Sequence, residues 1–169
     1  LPVLSAGYTT VAVSGTHGKT TTSSMVATML DGMALDPSFL IGGIVEGCGI
    51  SARSGKGPYF VSEADESDGS FLNFNPTVAI VTNVEADHLD HYGTLGHVEE
   101  AFCRFMASVR EDGAVIVCGE SPHLVELARS TGRRVLTYGF DERNDVVVAP
   151  GAARHTIGTT CSVTLPDGS

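Results

Sequence analysis

The sequence has few basic residues and no long apolar run. Asp and Glu outnumber Lys and Arg by 20 to 10, whereas a protein that binds the phosphate backbone of nucleic acid needs the opposite balance. The chain contains no stretch of 18 apolar residues, so a membrane-spanning helix is not expected. We therefore expect neither nucleic acid nor a membrane as a partner. Hydrophobic residues make up 42% of the chain, which is enough to bury a sizeable core.

The four cysteines are widely spaced and form no C-x-x-C pair. Such spacing argues against a zinc knuckle or a disulfide framework and fits a reducing, cytoplasmic compartment. The first residues have neither an initiator Met nor the charged segment of a signal peptide. We expect residues 1–8 to be the remnant of a linker, and residues 9–169 to be one domain that is incomplete on its C-terminal side.

The sequence does contain an alternation of strand and helix patterns. Apolar residues at Val26, Met29, Leu30 and Met33 have the i, i+3, i+4, i+7 spacing of a buried helix face. A second such face runs from Val98 to Val109, and a third helix is expected between the N-cap Ser121 and Gly132. Strands are predicted at Thr9 to Ser14, Phe39 to Val45, Tyr59 to Ser62, Thr77 to Thr82, Ala114 to Cys118 and Arg134 to Tyr138.

This alternation predicts an α/β fold with a mostly parallel sheet flanked by helices. Residues 42–58 contain six glycines and are expected to form a loop or an irregular hairpin. After Asn144 the helical patterns stop. The two remaining strand patterns, Val146 to Ala149 and Thr160 to Leu165, indicate a more antiparallel C-terminal tail.

A glycine loop follows the first predicted strand and precedes the first helix. Its sequence, residues 15–20, ends in the Gly-Lys-Thr of a phosphate-binding loop, although Val13 stands where the general pattern has its first glycine. Backbone N–H groups and a helix N-terminus attract phosphate oxygens. Lys19 is expected to reach the β- and γ-phosphates, and the Thr20 hydroxyl to bind Mg²⁺. The competing interpretation is an ordinary strand-to-helix turn.

Two acidic clusters follow later strands. The first consists of Glu63, Asp65, Glu66 and Asp68, and the second of Glu85, Asp87, His88, Asp90 and His91. Because ligands bind at the carboxyl ends of the strands in open α/β sheets, we expect both clusters and the glycine loop to share one cleft. Carboxylates and a hydroxyl suit Mg²⁺. A solvated acidic loop is the alternative for the first cluster, and a zinc pair is the alternative for His88 and His91.

Taken together, three motifs resemble those of the Mur ligases. They are Gly-Thr-His-Gly-Lys-Thr-Thr-Thr at 15–22, Glu-Ala-Asp-Glu-Ser-Asp at 63–68 and Thr-Asn-Val-Glu-Ala-Asp-His-Leu-Asp at 82–90. Within the family they look most like the alanine-adding MurC type, because Ser67 stands where the tripeptide-recycling type usually has Tyr. Residues 88–110 also lack the lysine that several other branches carry there. The likeness extends over nearly the whole chain.

The resemblance implies a P-loop NTPase-like central ATP-binding domain of a three-domain enzyme. An N-terminal UDP-sugar domain and a C-terminal domain would lie outside this chain. The implied enzyme uses ATP and Mg²⁺ to join L-alanine to UDP-N-acetylmuramate through an acyl phosphate, in peptidoglycan precursor synthesis. Two alternatives stay open: a recycling ligase that adds a murein tripeptide, and a P-loop small-molecule kinase. The sequence does not indicate an oligomeric state.

The resemblance also assigns roles to individual residues. Lys19, Glu63 and His88 are the implied catalytic residues. Thr20 and Glu63 are the implied ligands of one Mg²⁺ ion, and His88 is the implied ligand of a second, with Glu63 shared or nearby. Glu63 is preferred to Glu66 because of its spacing to His88. The implied nucleotide-binding residues are Gly15, Thr16, His17, Gly18, Lys19, Thr20, Thr21 and Asn83.

Overall fold

The computed structural model describes residues 7–151 and 160–168, so most of the expected linker remnant at residues 1–8 lies outside the described part. The strands are β1 (Thr9–Ser14), β2 (Ser38–Val45), β3 (Ile50–Arg53), β4 (Tyr59–Glu63), β5 (Val78–Val81), β6 (Ala114–Cys118), β7 (Val135–Gly139), β8 (Val146–Pro150) and β9 (Cys161–Thr164). The helices are α1 (Lys19–Gly32), α2 (Leu89–Tyr92), α3 (Leu95–Ala107) and α4 (Pro122–Ser130), with a 3-10 turn at Ser70–Asn73.

These strands form one mostly parallel sheet in the order β3-β2-β4-β1-β5-β6-β7-β8-β9. The antiparallel pairs are β2 with β3 and β8 with β9. The predicted α/β class with an antiparallel C-terminal end is therefore confirmed, although β8 itself pairs in parallel with β7. The glycine-rich residues 42–58 include the end of β2 and all of β3, which form an antiparallel hairpin. The hairpin is irregular, because the β2–β3 register shifts between Leu40 and Val45.

The core lies mainly between the sheet and helices α3 and α4. Phe71 is completely buried there, with its ring centroid 5.3 Å from that of Phe102 and 5.1 Å from that of Phe105. The predicted apolar face of α3 is confirmed, since Val98, Phe102 and Phe105 are all buried. Thr94 caps this helix by accepting a hydrogen bond from the His97 N–H. None of the described helices is long and apolar enough to cross a membrane.

Helix α1 covers β1, β2 and β4, but its buried face differs from the predicted one. Met29 and Met33 are 65% and 66% exposed, whereas Ser23 and Ala27 are buried against the sheet. Small residues at this contact let the helix axis approach the strands closely, with Val26 and Leu30 packing at the side. The predicted stripe is therefore correct for Val26 and Leu30 and wrong for the two methionines.

Candidate active site

The glycine loop lies at the carboxyl edge of the sheet. It follows β1, which lies between β4 and β5 in the sheet, so the ends of these two strands flank the loop. The first acidic cluster begins at the end of β4, and the second cluster follows β5. The structure therefore brings the three sequence motifs to one edge, where open α/β sheets bind their ligands.

Two glycines give the loop its path. Gly15 has a φ of +137°, and a Cβ atom there would lie 2.0 Å from Thr82 Oγ1. Gly18 has a φ of +84° and precedes the first turn of α1. Because L residues with a side chain rarely adopt such angles, the loop depends on glycine at both positions. The close approach of Gly15 to Thr82 seats the loop directly on the end of β5.

Thr82 and Asn83 hold the backbone of the loop. Asn83 Oδ1 accepts a hydrogen bond from His17 N at 2.9 Å, and Asn83 Nδ2 donates to His17 O at 3.1 Å. Thr82 Oγ1 donates to the same carbonyl at 2.6 Å. The Asn83 amide thus supports the loop backbone, and its contact with the nucleotide stays a prediction. Sequence reasoning missed Thr82, whose signal was a hydroxyl residue immediately before Asn83.

The Lys19 ammonium folds back on its own loop. Its Nζ donates to Gly15 O at 2.7 Å and to Thr16 O at 3.3 Å, and it pairs with Glu66 Oε1 at 2.8 Å. The Glu66 side chain is 2% exposed and that of Lys19 is 15% exposed. Sequence reasoning did not find this ion pair, because Glu66 belongs to a different element and lies 47 residues away.

The Thr20 hydroxyl and the Glu63 carboxylate lie side by side. Thr20 Oγ1 donates to Glu63 Oε1 at 2.8 Å, and the Gly42 N–H donates to Glu63 Oε2 at 2.7 Å. Two oxygen donors of this kind match the preference of Mg²⁺ for hard oxygen ligands. The donor set of this pair therefore fits the metal ion that the sequence implied.

His88 sits next to Glu66. Its Nε2 lies 3.7 Å from Glu66 Oε1 and 3.9 Å from Asp87 Oδ2. The His88 backbone has a φ of +51°, a conformation that non-glycine residues hold only where surrounding contacts fix it. One such contact is the bond from His88 N to Asp87 Oδ1 at 2.8 Å. Ala34 and Asp36, outside the site, also have positive φ angles, so the case for His88 rests on its contacts.

Tyr92 ties helix α2 to the first acidic cluster. Its hydroxyl donates a hydrogen bond to the backbone oxygen of Glu66. Burial, together with the nearby Glu66 carboxylate, raises the pKa of the Tyr92 phenol. The ring of His91 packs edge-on against that of Tyr92 with centroids 4.7 Å apart. His91 therefore has a packing contact with Tyr92.

The first acidic cluster does not converge on one point. Asp65 accepts hydrogen bonds from the N–H and hydroxyl of Ser67, and Asp68 accepts one from the N–H of Ser70. Hydrogen bonding by Ser70 lowers the pKa of Asp68. Among residues 7–151 and 160–168, no three His, Cys, Asp or Glu side chains are arranged to hold a metal ion by themselves.

The other predicted nucleotide-binding residues lie around the mouth of the loop. Thr16 is buried and its Oγ1 accepts a hydrogen bond from Glu85 N at 2.9 Å. Thr21 is exposed on the first turn of α1. The His17 ring is also exposed, and its Nε2 lies 3.9 Å from a Glu85 carboxylate oxygen. Thr21 and His17 thus face solvent at the edge where the three motifs meet.

The fold and this loop define a nucleotide-binding α/β domain of the P-loop type. Residues 13–169 match the Mur ligase middle domain. The UDP-N-acetylmuramate–L-alanine ligase of Renibacterium salmoninarum is 49% identical over 150 residues, 86% of this chain and 32% of that protein. Its counterpart in Salinispora arenicola is 51% identical over 143 residues, 83% of this chain and 28% of that protein. The chain belongs to the Mur ligase family, which confirms the resemblance seen in the sequence.

Solved structures of two family members have the same fold. One is the UDP-N-acetylmuramate:L-alanyl-γ-D-glutamyl-meso-diaminopimelate ligase of Neisseria meningitides, with a TM-score of 0.81 and 30% identity, covering 98% of this chain and 56% of that chain. The other is the UDP-N-acetylmuramate–alanine ligase of Thermotoga maritima, with a TM-score of 0.77 and 30% identity, covering 97% of this chain and 36% of that chain. The present chain spans about a third of the length of the curated relatives described above.

Proposed function

We propose that this chain is the central ATP-binding domain of a ligase that joins L-alanine to UDP-N-acetylmuramate. The observation that carries the proposal is that Thr20, next to Lys19 at the start of the helix after β1, contacts Glu63 at the end of the neighbouring strand β4. The names of the relatives that are 49% and 51% identical supply the substrates. Domains outside this chain complete the sugar and amino-acid sites in this proposal, and the reaction takes place in the cytoplasm.

The loop and helix α1 bind the phosphates of ATP in this proposal. N–H groups of residues 15–20 and the first turn of α1 supply partial positive charge, and Lys19 supplies a full one. Charge on the transferring phosphoryl group is stabilised in this way while the group moves to the carboxylate of the sugar's lactyl arm. The amine of L-alanine then attacks the acyl phosphate. An amide forms, and phosphate leaves.

Thr20 and Glu63 are the residues that would hold one Mg²⁺ ion, and His88 would hold a second one, as the resemblance implies. The metal ion, when bound, supplies positive charge beside the β- and γ-phosphates. Glu63 is fixed for this task by the Thr20 hydroxyl on one side and the Gly42 N–H on the other. Such fixed ligands limit the reorganisation needed when charge develops on the phosphoryl group.

Phosphate release by the full-length ligase tests the substrate assignment. With ATP and UDP-N-acetylmuramate present, we expect release that depends on L-alanine and an amide product that appears with it. The recycling ligase is the second candidate, since its Neisseria meningitides representative has a TM-score of 0.81 with this chain. Dependence on the tripeptide would support that candidate. A stable phosphorylated product without any amino acid would identify a kinase.

Lys19→Ala in the full-length ligase tests the phosphate role of the loop. We expect the variant to fold normally and to lose turnover, because no other described side chain places a full positive charge on the loop. Circular dichroism checks the fold, and phosphate release checks the activity. Normal turnover in this variant would refute the proposed role of Lys19.

A further inference from the structure

Glu66 is a buried carboxylate that neither the sequence motif nor the proposed metal site explains. Its side chain is 2% exposed, and its Oε2 has no hydrogen-bond partner among the described residues. Its Oε1 lies 2.8 Å from Lys19 Nζ. A buried charge is unfavourable unless it is paired, so the position of Glu66 is tied to the ammonium of Lys19.

The three protons of the Lys19 ammonium already have acceptors in this structure. Two acceptors are the loop carbonyls of Gly15 and Thr16, and the third is Glu66. Lys19 can reach a phosphate only by giving up at least one of them. The carbonyls are neutral, whereas release of Glu66 would leave a buried carboxylate without its cation. The carbonyls are therefore the bonds that yield first.

The backbone of Glu66 is held independently of Lys19. Its carbonyl accepts hydrogen bonds from the Tyr92 hydroxyl and from Gly69 N. Two residues earlier, Ala64 is fixed to the sheet by the hydrogen bond from its N–H to Val13 O. Glu66 therefore presents its carboxylate from a fixed point, while Lys19 extends from the first residue of a helix on a flexible side chain.

We propose that Glu66 is a positioning residue for Lys19. It stays paired with the ammonium while the two loop carbonyls are exchanged for phosphate oxygens, so that Lys19 pivots about a fixed partner. This inference rests on the proposed function, since it assigns Lys19 to the phosphates. Although Glu66 Oε1 also lies 3.7 Å from His88 Nε2, Glu66 acts through Lys19 in this proposal and ligates neither the nucleotide nor the metal ion. Its loss therefore disturbs the chemical step more than the binding of nucleotide.

Variants of the full-length ligase separate this role from a structural one. Glu66→Gln keeps the shape and removes the charge, and Glu66→Asp keeps the charge on a shorter side chain. Glu111→Gln is the matched control, because it makes the same substitution at an exposed residue ahead of β6, on the other side of the sheet from the carboxyl edge that carries the site. Turnover gives kcat, calorimetry gives the Kd for ADP, and a Mg²⁺ titration gives the metal requirement.

We expect Glu66→Gln to lower kcat by ~100-fold, as misplacement of a catalytic group does. The Kd for ADP should change by less than about 3-fold and the Mg²⁺ requirement should stay the same, because phosphate and metal ligands are retained. Glu66→Asp should recover part of kcat, and Glu111→Gln should match the wild type. In a Lys19→Arg background, where the pairing geometry is already lost, Glu66→Gln should add little further loss.

Four results would overturn the inference. They are a wild-type kcat in Glu66→Gln, a loss of ADP binding parallel to the loss of kcat, a shifted Mg²⁺ requirement, and full additivity with Lys19→Arg. A fold defect in Glu66→Gln also counts against a positioning role if Glu66→Asp shares it. Failure of the proposed function is distinguishable, since Lys19→Ala would then retain turnover whatever the Glu66 variants do.

Discussion

Thr20 and Glu63 are in contact although they lie 43 residues apart in the chain. They meet because β1 and β4 are parallel neighbours, so the residues that follow each strand emerge at the same edge. Glu63 closes β4, and Thr20 lies in the first turn of α1. The Gly42 N–H then fixes the second carboxylate oxygen. The sheet topology thus brings two residues that are distant in sequence together as the proposed Mg²⁺ ligands.

Glu63 and Glu66 are expected to differ in how their loss affects the metal ion. Glu63→Ala in the full-length ligase removes an oxygen beside Thr20, so the Mg²⁺ concentration needed for half-maximal rate should rise. Glu66→Ala should leave it unchanged, because Glu66 pairs with Lys19. Phosphate release measured over a Mg²⁺ titration gives both values. A larger shift for Glu66→Ala would reverse the assignment of the ligand.

The sequence alone could locate the loop and its candidate residues but not the partner of Lys19. Motif spacing led to Lys19, Thr20 and Glu63, and the structure places these three at one edge. Glu63 and Glu66 are chemically alike and three positions apart. Only the path of the chain after β4 decides that one faces Thr20 and the other Lys19, and no local pattern encodes that path.

Among the secondary-structure elements, the turn that carries the acidic cluster is anchored in the core. Residues 63–69 connect β4 to the 3-10 turn at Ser70–Asn73, and Phe71 of that turn is completely buried. Its ring packs between those of Phe102 and Phe105 of α3. The position of Glu66 is therefore set by the strand on one side and by an aromatic contact with a distant helix on the other.

Phe71→Ala should destabilise this chain by about 3–5 kcal/mol, because it removes a fully buried ring and leaves a cavity. Leu72→Ala is the matched control, since the neighbouring Leu72 is only partly buried, and its effect should be clearly smaller. Urea unfolding followed by circular dichroism gives both free energies of unfolding. Equal losses in the two variants would show that the ring does not anchor the turn.

Helix α1 shows where a periodic pattern fails. The spacing of Val26, Met29, Leu30 and Met33 predicted the helix, which is present, but placed its buried face too far to one side. The residues against the sheet are Ser23 and Ala27, which are small and contribute little to a hydrophobic pattern. Close packing on a sheet can select small residues, so hydrophobicity alone does not reveal that face.

In the whole molecule, the site lies on one edge of a sheet and is formed by three strand ends. The chain covers 32% and 28% of the length of the two ligases it was compared with. The phosphate loop, the Thr20–Glu63 pair and His88 all lie within the described residues. In our proposal the nucleotide phosphates are therefore bound here, while the sugar and the amino acid are held by the remaining parts of the ligase.

This chain alone is expected to form no amide. In the proposal its loop binds the phosphates of ATP, and the sugar and amino-acid sites belong to other domains. Phosphate release and amide formation measured for this chain beside the full-length ligase, at equal concentration and with the same substrates, check this. Alanine ligation by the isolated chain at a rate near that of the full-length ligase would contradict the proposed division of roles.

The outer face of α1 also has a chemical consequence. Met25, Met29 and Met33 are more than half exposed, whereas Met106 is completely buried. Exposed thioethers are readily oxidised to sulfoxides, which are polar. Mild peroxide should therefore add oxygen at two positions on α1 and at its C-cap Met33, and leave the core methionine unchanged. The oxidation of these methionines therefore reports whether the outer face of α1 is exposed, because a protein segment that packs against this face would protect them.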